Sequence, residues 1–427
     1  MVFDDADQNG PDPAGELTSR PRPRSSRQVY WTRRGAVGLT VVALIVGIVV
    51  AATHRSPAAS NAHGGPSTTA VGTPNGGSGD PSAVLGKPAP GQPLTTNIYS
   101  ADGVGMLSPV AAAAKPLIYV PNSDAGTVDV IDPATLKVVD HFRVGRLPQH
   151  VVPAWDLKTL YVTNDLSNSL TPIDPVTGRR AGPDIPVDDP YNLYFTPDGA
   201  AAIVVAEAHQ HLDFRDPHTF SLQQRVDLDC RGVDHIDFAA DGSYLIATCE
   251  FSGRLVKVDL RTRTVVGYLT VGGEPQDIKV DPAGKVFYVA DMSAGGLHEI
   301  DGDKFTKIGF LPTGPETHGL YVSRDARSLY VANRGGPHAH GSVSVVDFTS
   351  RSVIANWPVA HGTPDMGNVS ADGRVLWLTG RRSSEVYAID TRSGKLLARI
   401  PVGAGPHGLC VWPEPGRYSL GHTGILR

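Results

Sequence analysis

The stretch "TVDVID" at residues 127–132 is a short alternating strand closed by an aspartate, and the chain returns to it again and again. The later copies are "SLTPID" (169–174), "HLDFRD" (211–216), "LVKVDL" (255–260), "LHEID" (297–301), "SVSVVD" (342–347) and "EVYAID" (385–390). The closing aspartates are Asp132, Asp174, Asp216, Asp259, Asp301, Asp347 and Asp390, spaced by 42, 42, 43, 42, 46 and 43 residues. A period of about 40–45 residues carrying four short strands is the mark of a β-propeller blade.

Each unit reads alike. An inner strand follows a "V-G-x-x-P"-like turn, as in "GRLPQHVV" and "GGEPQDIKV". A "PDG" or "ADG" hairpin (197–199, 240–242, 371–373) leads to a second strand such as "LYVTN", "FYVAD" or "LYVAN". The third strand ends in the aspartate, and an outer strand such as "KVVDHFRVG" (137–145) follows. Aspartate-glycine turns between valine-rich alternating runs supply the hairpin geometry. The one long step, 301 to 347, reflects extra residues in "NRGGPHAHGS" (333–342).

The second strands carry "YVTN" (161–164), "YVPN" (119–122), "YVAD" (288–291) and "YVAN" (330–333). In these motifs the chain resembles the YVTN-repeat family of β-propellers, over about residues 117–412. The resemblance implies an all-β propeller and leaves activity open, because propellers of one fold serve unrelated roles. The first unit begins on a second strand at 117, and "PHGLCVW" (406–412) is an inner strand with no unit after it. Joined, they make one blade, so seven blades are expected, closed by the two chain ends and leaving no exposed terminal face. Segments 97–116 and 413–427 fall outside this count.

Upstream, four parts are expected: a disordered cytoplasmic tail (1–35), a membrane helix (36–53), a flexible linker (54–96) and the propeller (97–427). The stretch "AVGLTVVALIVGIVVAAT" (36–53) has no charge, follows six arginines between Arg20 and Arg34, and has Trp31 beside it. Its length suits a helix crossing a thin bilayer, and the arginines place residues 1–35 in the cytoplasm. The propeller is then extracytoplasmic on a single-pass anchor; secretion after signal cleavage is the alternative. Residues 54–96 hold almost nothing large and apolar and span roughly 35–40 Å as a coil. A net charge of -5 without a lysine-rich run argues against nucleic acid as the main partner. A monomer is expected.

In a four-stranded blade, the turn leading into the inner strand and the loop after the second strand emerge on one face, here called the top. His150, His235, His318 and His407 begin inner strands, and His361 lies in a loop before one. His209, His211, His338 and His340 follow second strands, so these nine imidazoles map to the top. Aligning the leading turns gives a ring of Gln149, Tyr191, Asp234, Gln276, His318, Asp365 and His407. The next positions add His150, Asn192, His235 and Asp277. His318, Asp365 and His407 come from consecutive blades, and two imidazoles flanking a carboxylate suit a divalent metal such as copper or zinc, or an oriented general base. The expected ligand contacts are His150, Asn192, His235, Asp277, Gln149, Asp234 and Glu207. Solvated polar residues lining a wet channel mouth are the plainer alternative.

The seven closing aspartates read as turn caps, since each opens a motif such as "DPAT". The second-strand ends offer Asn122, Asn164, Glu207, Asp291, Asn333 and Arg381 to the top, with Glu250 close by. Cys230 and Cys249 fall beside one another on blade four, where a disulfide is plausible outside the membrane; Cys410 sits alone on an inner strand. No P-loop, dinucleotide glycine turn or serine elbow occurs.

The expected function is a membrane-anchored binding module using its histidine-rich top for a small ligand, metal or protein partner. The alternative is an enzyme: channel histidines resemble those of the haem d1 nitrite reductase propeller, copper nitrous oxide reductase or propeller lactonases. A c-type haem motif is absent, and hub histidines are fewer than a multicopper cluster requires.

Overall fold

A computed structural model describes residues 97–336 and 340–422. Seven antiparallel sheets follow one another along the chain. Blade 1 combines Leu117–Asn122, Thr127–Asp132 and Lys137–Arg143 with Cys410–Trp412 from the far end of the chain. Tyr119 pairs with Cys410 and Leu117 with Trp412, so the two ends close the ring as expected. Blades 2 to 7 begin on inner strands Pro148–Pro153, Asn192–Phe195, Val233–Phe238, Pro275–Val280, Thr317–Val322 and Pro364–Val369. No helix among the described residues is long and apolar enough to cross a membrane, and the 36–53 stretch lies outside those residues.

Inner, second and third strands are buried along most of their length, whereas outer strands such as Lys137–Arg143 are largely exposed. Each sheet is covered on both faces by its neighbours, which is why these strands read as near-continuous apolar runs. The cores lie between blades: Tyr321 and Val345 of blade 6 pack with Leu378 and Tyr387 of blade 7. Each such fully buried aliphatic side chain contributes about 1.5–3 kcal/mol. Blade 2 departs from the expected single outer strand. Its edge splits into Arg179–Arg180 and Ile185–Pro186, both paired with the third strand, around Gly182 and Pro183. Proline lacks the N–H that a continuous ladder would need there.

The repeated "YVTN" asparagine is structural. Asn164 donates from Nδ2 to Thr171 at 2.9 Å on the third strand, and its Oδ1 accepts from the N–H of Gly145 at 3.1 Å in the leading turn. Asn333 likewise binds Ser344 at 3.0 Å, and Asn122 binds Asp129 at 3.0 Å. A Cβ on Gly145, Gly314 or Gly403 would stand 2.6–2.7 Å from these asparagine side chains, which explains the glycine of the "V-G" turn. The closing aspartates cap turns: Asp132 accepts from the N–H of Ala134 at 2.8 Å and Asp390 from that of Ser393 at 2.8 Å.

Residues 97–116 and 413–422 cross the bottom of the ring. Ile98 donates to the carbonyl of Ala240 on blade 4, and Asn97 to that of Pro282 on blade 5. Asp102 and Glu414 both reach Arg324 on blade 6, and Ser419 donates to the carbonyls of Trp155 and Pro153 on blade 2.

Candidate functional site

The site grows from one recurring distortion. In blades 2, 4, 5, 6 and 7, pairing between inner and second strands skips from the first residue of the inner strand to the fourth. The skipped pairs are Gln149-His150, Asp234-His235, Gln276-Asp277, His318-Gly319 and Asp365-Met366. A bulge of this kind re-aims the side chains it frees, and here it occurs at the positions that the aligned turns single out. Three of the bulged N–H groups find a threonine on the second strand. His150 donates to Thr163 at 3.1 Å, His235 to Thr248 at 3.1 Å and Met366 to Thr379 at 3.2 Å. The threonine of "YVTN" therefore satisfies the backbone that the bulge leaves open.

The freed imidazoles meet around the axis. Ring centroids are 5.6 Å apart from His150 to His235, 6.3 Å to His318, 5.8 Å on to His407 and 5.0 Å back to His150. All four are buried. A fifth, His422, approaches His150 and His235 at 4.8 Å each. It comes from the tail that climbs from the bottom.

His318, Asp365 and His407 are gathered as the turn alignment suggests, but in arginine company. Asp365 Oδ2 is 2.7 Å from His407 Nδ1, and Oδ1 is 3.2 Å from His318 Nδ1. Arg334 Nε donates to that same Oδ1 at 2.5 Å, with Arg381 4.0 Å from Oδ2. Burial alone would raise the Asp365 pKa, yet Arg334, His318 and Arg381 hold it below the ordinary carboxylate value. Burial, then Arg334, keeps His318 well below the usual imidazole value; burial, then Arg381, does the same for His407. The carboxylate thus works first as the counter-charge of a buried arginine. Arg334 escaped the sequence reading, although it lies one residue past a second strand, as Arg381 does in the next blade.

On the opposite side, burial presses His150 and His422 far below the usual value, with neighbouring imidazoles adding to it. His235 differs: burial lowers it, but the adjacent Asp234 carboxylate, 3.3 Å away, carries it above the usual value. Asp277 is committed elsewhere. It pairs with Lys279 at 2.9 Å and accepts the N–H of Leu320 on the next blade at 2.9 Å. Asn192 donates to Tyr194 at 3.2 Å and stands 3.0 Å from His422 Nδ1. Gln149, Asp234 and Gln276 are buried on the ring, and Glu207 and Glu250 are buried past the second strands of blades 3 and 4. Asp291 binds His298 at 2.8 Å and belongs to its own blade. His209 and His211 stack at 5.7 Å and His340 contacts His361 at 4.7 Å, both apart from the five-imidazole cluster; His338 lies outside the described residues. Cys230 and Cys249 are joined in a disulfide, and Cys410 is free and buried.

Seven closed blades around an axis lined with imidazoles, amides and carboxylates define a propeller with a polar hub. A family model of YNCE-like β-propellers matches residues 98–415, and the chain belongs to that family. The uncharacterised YncE of Salmonella typhi is 28% identical over 218 residues, 47% of this chain and 59% of that protein. YncE of Escherichia coli K12 is 25% identical over 174 residues, 39% and 46% of the two chains. The chain spans about half the length of the curated relatives it matches. Among solved structures, the dihydro-haem d1 dehydrogenase NirN has a TM-score of 0.55 at 14% identity, covering 74% of this chain and 80% of that one. A putative 6-phosphogluconolactonase from Bacteroides uniformis has a TM-score of 0.57 at 16% identity, covering 69% and 98%. At such identities these likenesses concern the fold alone.

Proposed function

We propose that this chain is a membrane-anchored, extracytoplasmic binding module that takes a small polar ligand at the top of its channel. One observation carries the reading. Gln276 Nε2, Asp234 Oδ2 and Nε2 of His407 are buried on the hub with no hydrogen-bond partner from the protein. Leaving such a group unmet costs about 1–3 kcal/mol each, so unmet donors and acceptors on one hub call for a polar occupant. The bottom strap leaves the top as the side from which such an occupant enters. The placement outside the cytoplasm is supported by the 36–53 apolar stretch behind its arginines and by the Cys230–Cys249 disulfide, a bond that persists in oxidising compartments.

The test is a melting-temperature screen of the full chain, kept in chelator, against amino acids, small carboxylates and sugar phosphates. At least one compound should raise the melting temperature in a concentration-dependent way, and Asp234→Asn or Gln276→Leu should abolish that rise. Silence across the panel at millimolar concentration, with no small molecule retained in native mass spectra, would overturn the reading.

A further inference from the structure

We propose that His150, His235 and His422 form a binding site for one divalent transition-metal ion of the zinc or copper class. Each offers a ring nitrogen, and the three nitrogens lie within 4.8 Å of one another. All three side chains are fully buried. Both ring nitrogens of His150, and Nε2 of His235 and of His422, have no hydrogen-bond partner from the protein. Buried imidazoles normally find such partners, so four orphaned nitrogens in one place point to an occupant that accepts lone pairs. Three nitrogens at roughly 2.0–2.1 Å from a tetrahedral ion are about 3.4 Å apart. Closing the trio onto an ion therefore moves each ring by less than about 1 Å, within ordinary side-chain adjustment.

The local sequence delivers the third ligand by design of the backbone. Blades 2 and 4 place His150 and His235 on the hub, whereas blade 3, between them, has Asn192. The tail docks along that inner strand: Phe195 donates to the carbonyl of Leu420 at 2.9 Å, and His422 donates to that of Leu193 at 2.9 Å. Gly421 permits this approach, since a Cβ there would stand 2.3 Å from Tyr194 Cα, and its φ is +95°. His422 thereby fills the histidine position that blade 3 lacks.

The surroundings match what metal-bound imidazoles need. Asp234 lies 3.3 Å from His235 Nδ1, the carboxylate–histidine arrangement that orients a ligating ring. Asn192 is 3.0 Å from His422 Nδ1. With metal on Nε2 that nitrogen carries the proton, which a carboxylate at position 192 would accept while keeping the Leu193 N–H that Asn192 Oδ1 now accepts at 2.9 Å. Three neutral nitrogen ligands leave a fourth position for water or an anion, on the same hub where the polar ligand is proposed to bind. The metal site stands on its own residues and does not depend on that ligand.

The experiment uses the full chain, stripped with chelator, dialysed and titrated with Co²⁺ and then Zn²⁺ in the absence of organic ligand, so it can fail independently of the small-molecule screen. One equivalent of Co²⁺ should develop visible d–d absorption, which Zn²⁺ displaces. His235→Ala and His422→Ala should weaken uptake by about 100-fold or more, while His318→Ala retains one equivalent. Should His422→Ala unfold, His422→Gln serves: its metal-free melting temperature should match the parent, without the parent's rise on adding Zn²⁺. Asn192→Asp, which holds the Nδ1 proton more firmly, should bind at least as tightly as the parent. Sub-stoichiometric uptake by the parent, or loss in His318→Ala with retention in His422→Gln, would overturn the assignment.

Discussion

Arg324, at the bottom hairpin of blade 6, holds Glu414 of the tail at 3.1 Å, ninety residues further along the chain. The same guanidinium binds Asp102 at 2.7 Å and donates to the carbonyl of Val369 at 2.7 Å. One buried cation therefore ties both chain ends to blades 6 and 7. Burial would lower its pKa, but Asp102 and Glu414 raise it above the ordinary value, so the charge is retained. Removing the cation takes this buried counter-charge from two carboxylates at once, which costs about 3–5 kcal/mol. Arg324→Met should lower the melting temperature by on the order of 10 °C. A second substitution, Glu414→Gln, should recover part of it; a loss below 1 kcal/mol in chemical denaturation would refute the tie.

Asp165 and Asp189 form a carboxyl pair on the top face, and Gln149 of the hub ring bonds to the first. Burial, and then Asp189, pushes the Asp165 pKa well above the ordinary carboxylate value. Burial also raises Asp189. A raised folded-state pKa means the contribution is complete below the unfolded value, near pH 3.9, and is lost as the pH climbs through the folded value. Asp165→Asn supplies a permanent N–H donor in place of the labile proton. The variant should melt higher than the parent at pH 7–8, and the gap should close toward pH 4. A gap independent of pH, or a variant less stable at pH 8, would sink the idea.

The Cys230–Cys249 bond closes a loop across a separation of 19 residues, from the turn leading into blade 4 to the end of its second strand. Constraint of the unfolded chain by a loop of this length is worth about 3 kcal/mol. Protein treated with reductant, or a Cys230→Ser/Cys249→Ser variant, should unfold at correspondingly lower denaturant concentration with an unchanged slope. Equal midpoints for oxidised and reduced protein would show that the bond adds nothing.

Much of this molecule was legible from residue order. The aspartate spacing announced seven units, and the unmatched "PHGLCVW" announced closure of blade 1, which Tyr119 and Cys410 carry out. The aligned turns also located the hub, because a repeat places equivalent positions at equivalent radii around one axis. His150, His235, His318 and His407 were found that way. Their company was not. Arg334 lies on Asp365 because the residue that follows the second strand of blade 6 reaches the inner strand of blade 7, a contact between neighbouring blades.

What residue order determined by itself was whatever recurs: strand count, blade boundaries and the turn positions that meet at the hub. What only the tertiary structure decided were the unique pieces, the strap at 97–116 and the tail bearing His422. Neither has a period to betray it, and each takes its conformation from partners hundreds of residues away. Local propensity carries no information about such partners; only the closed ring brings Leu193 and His422 within a hydrogen bond of each other.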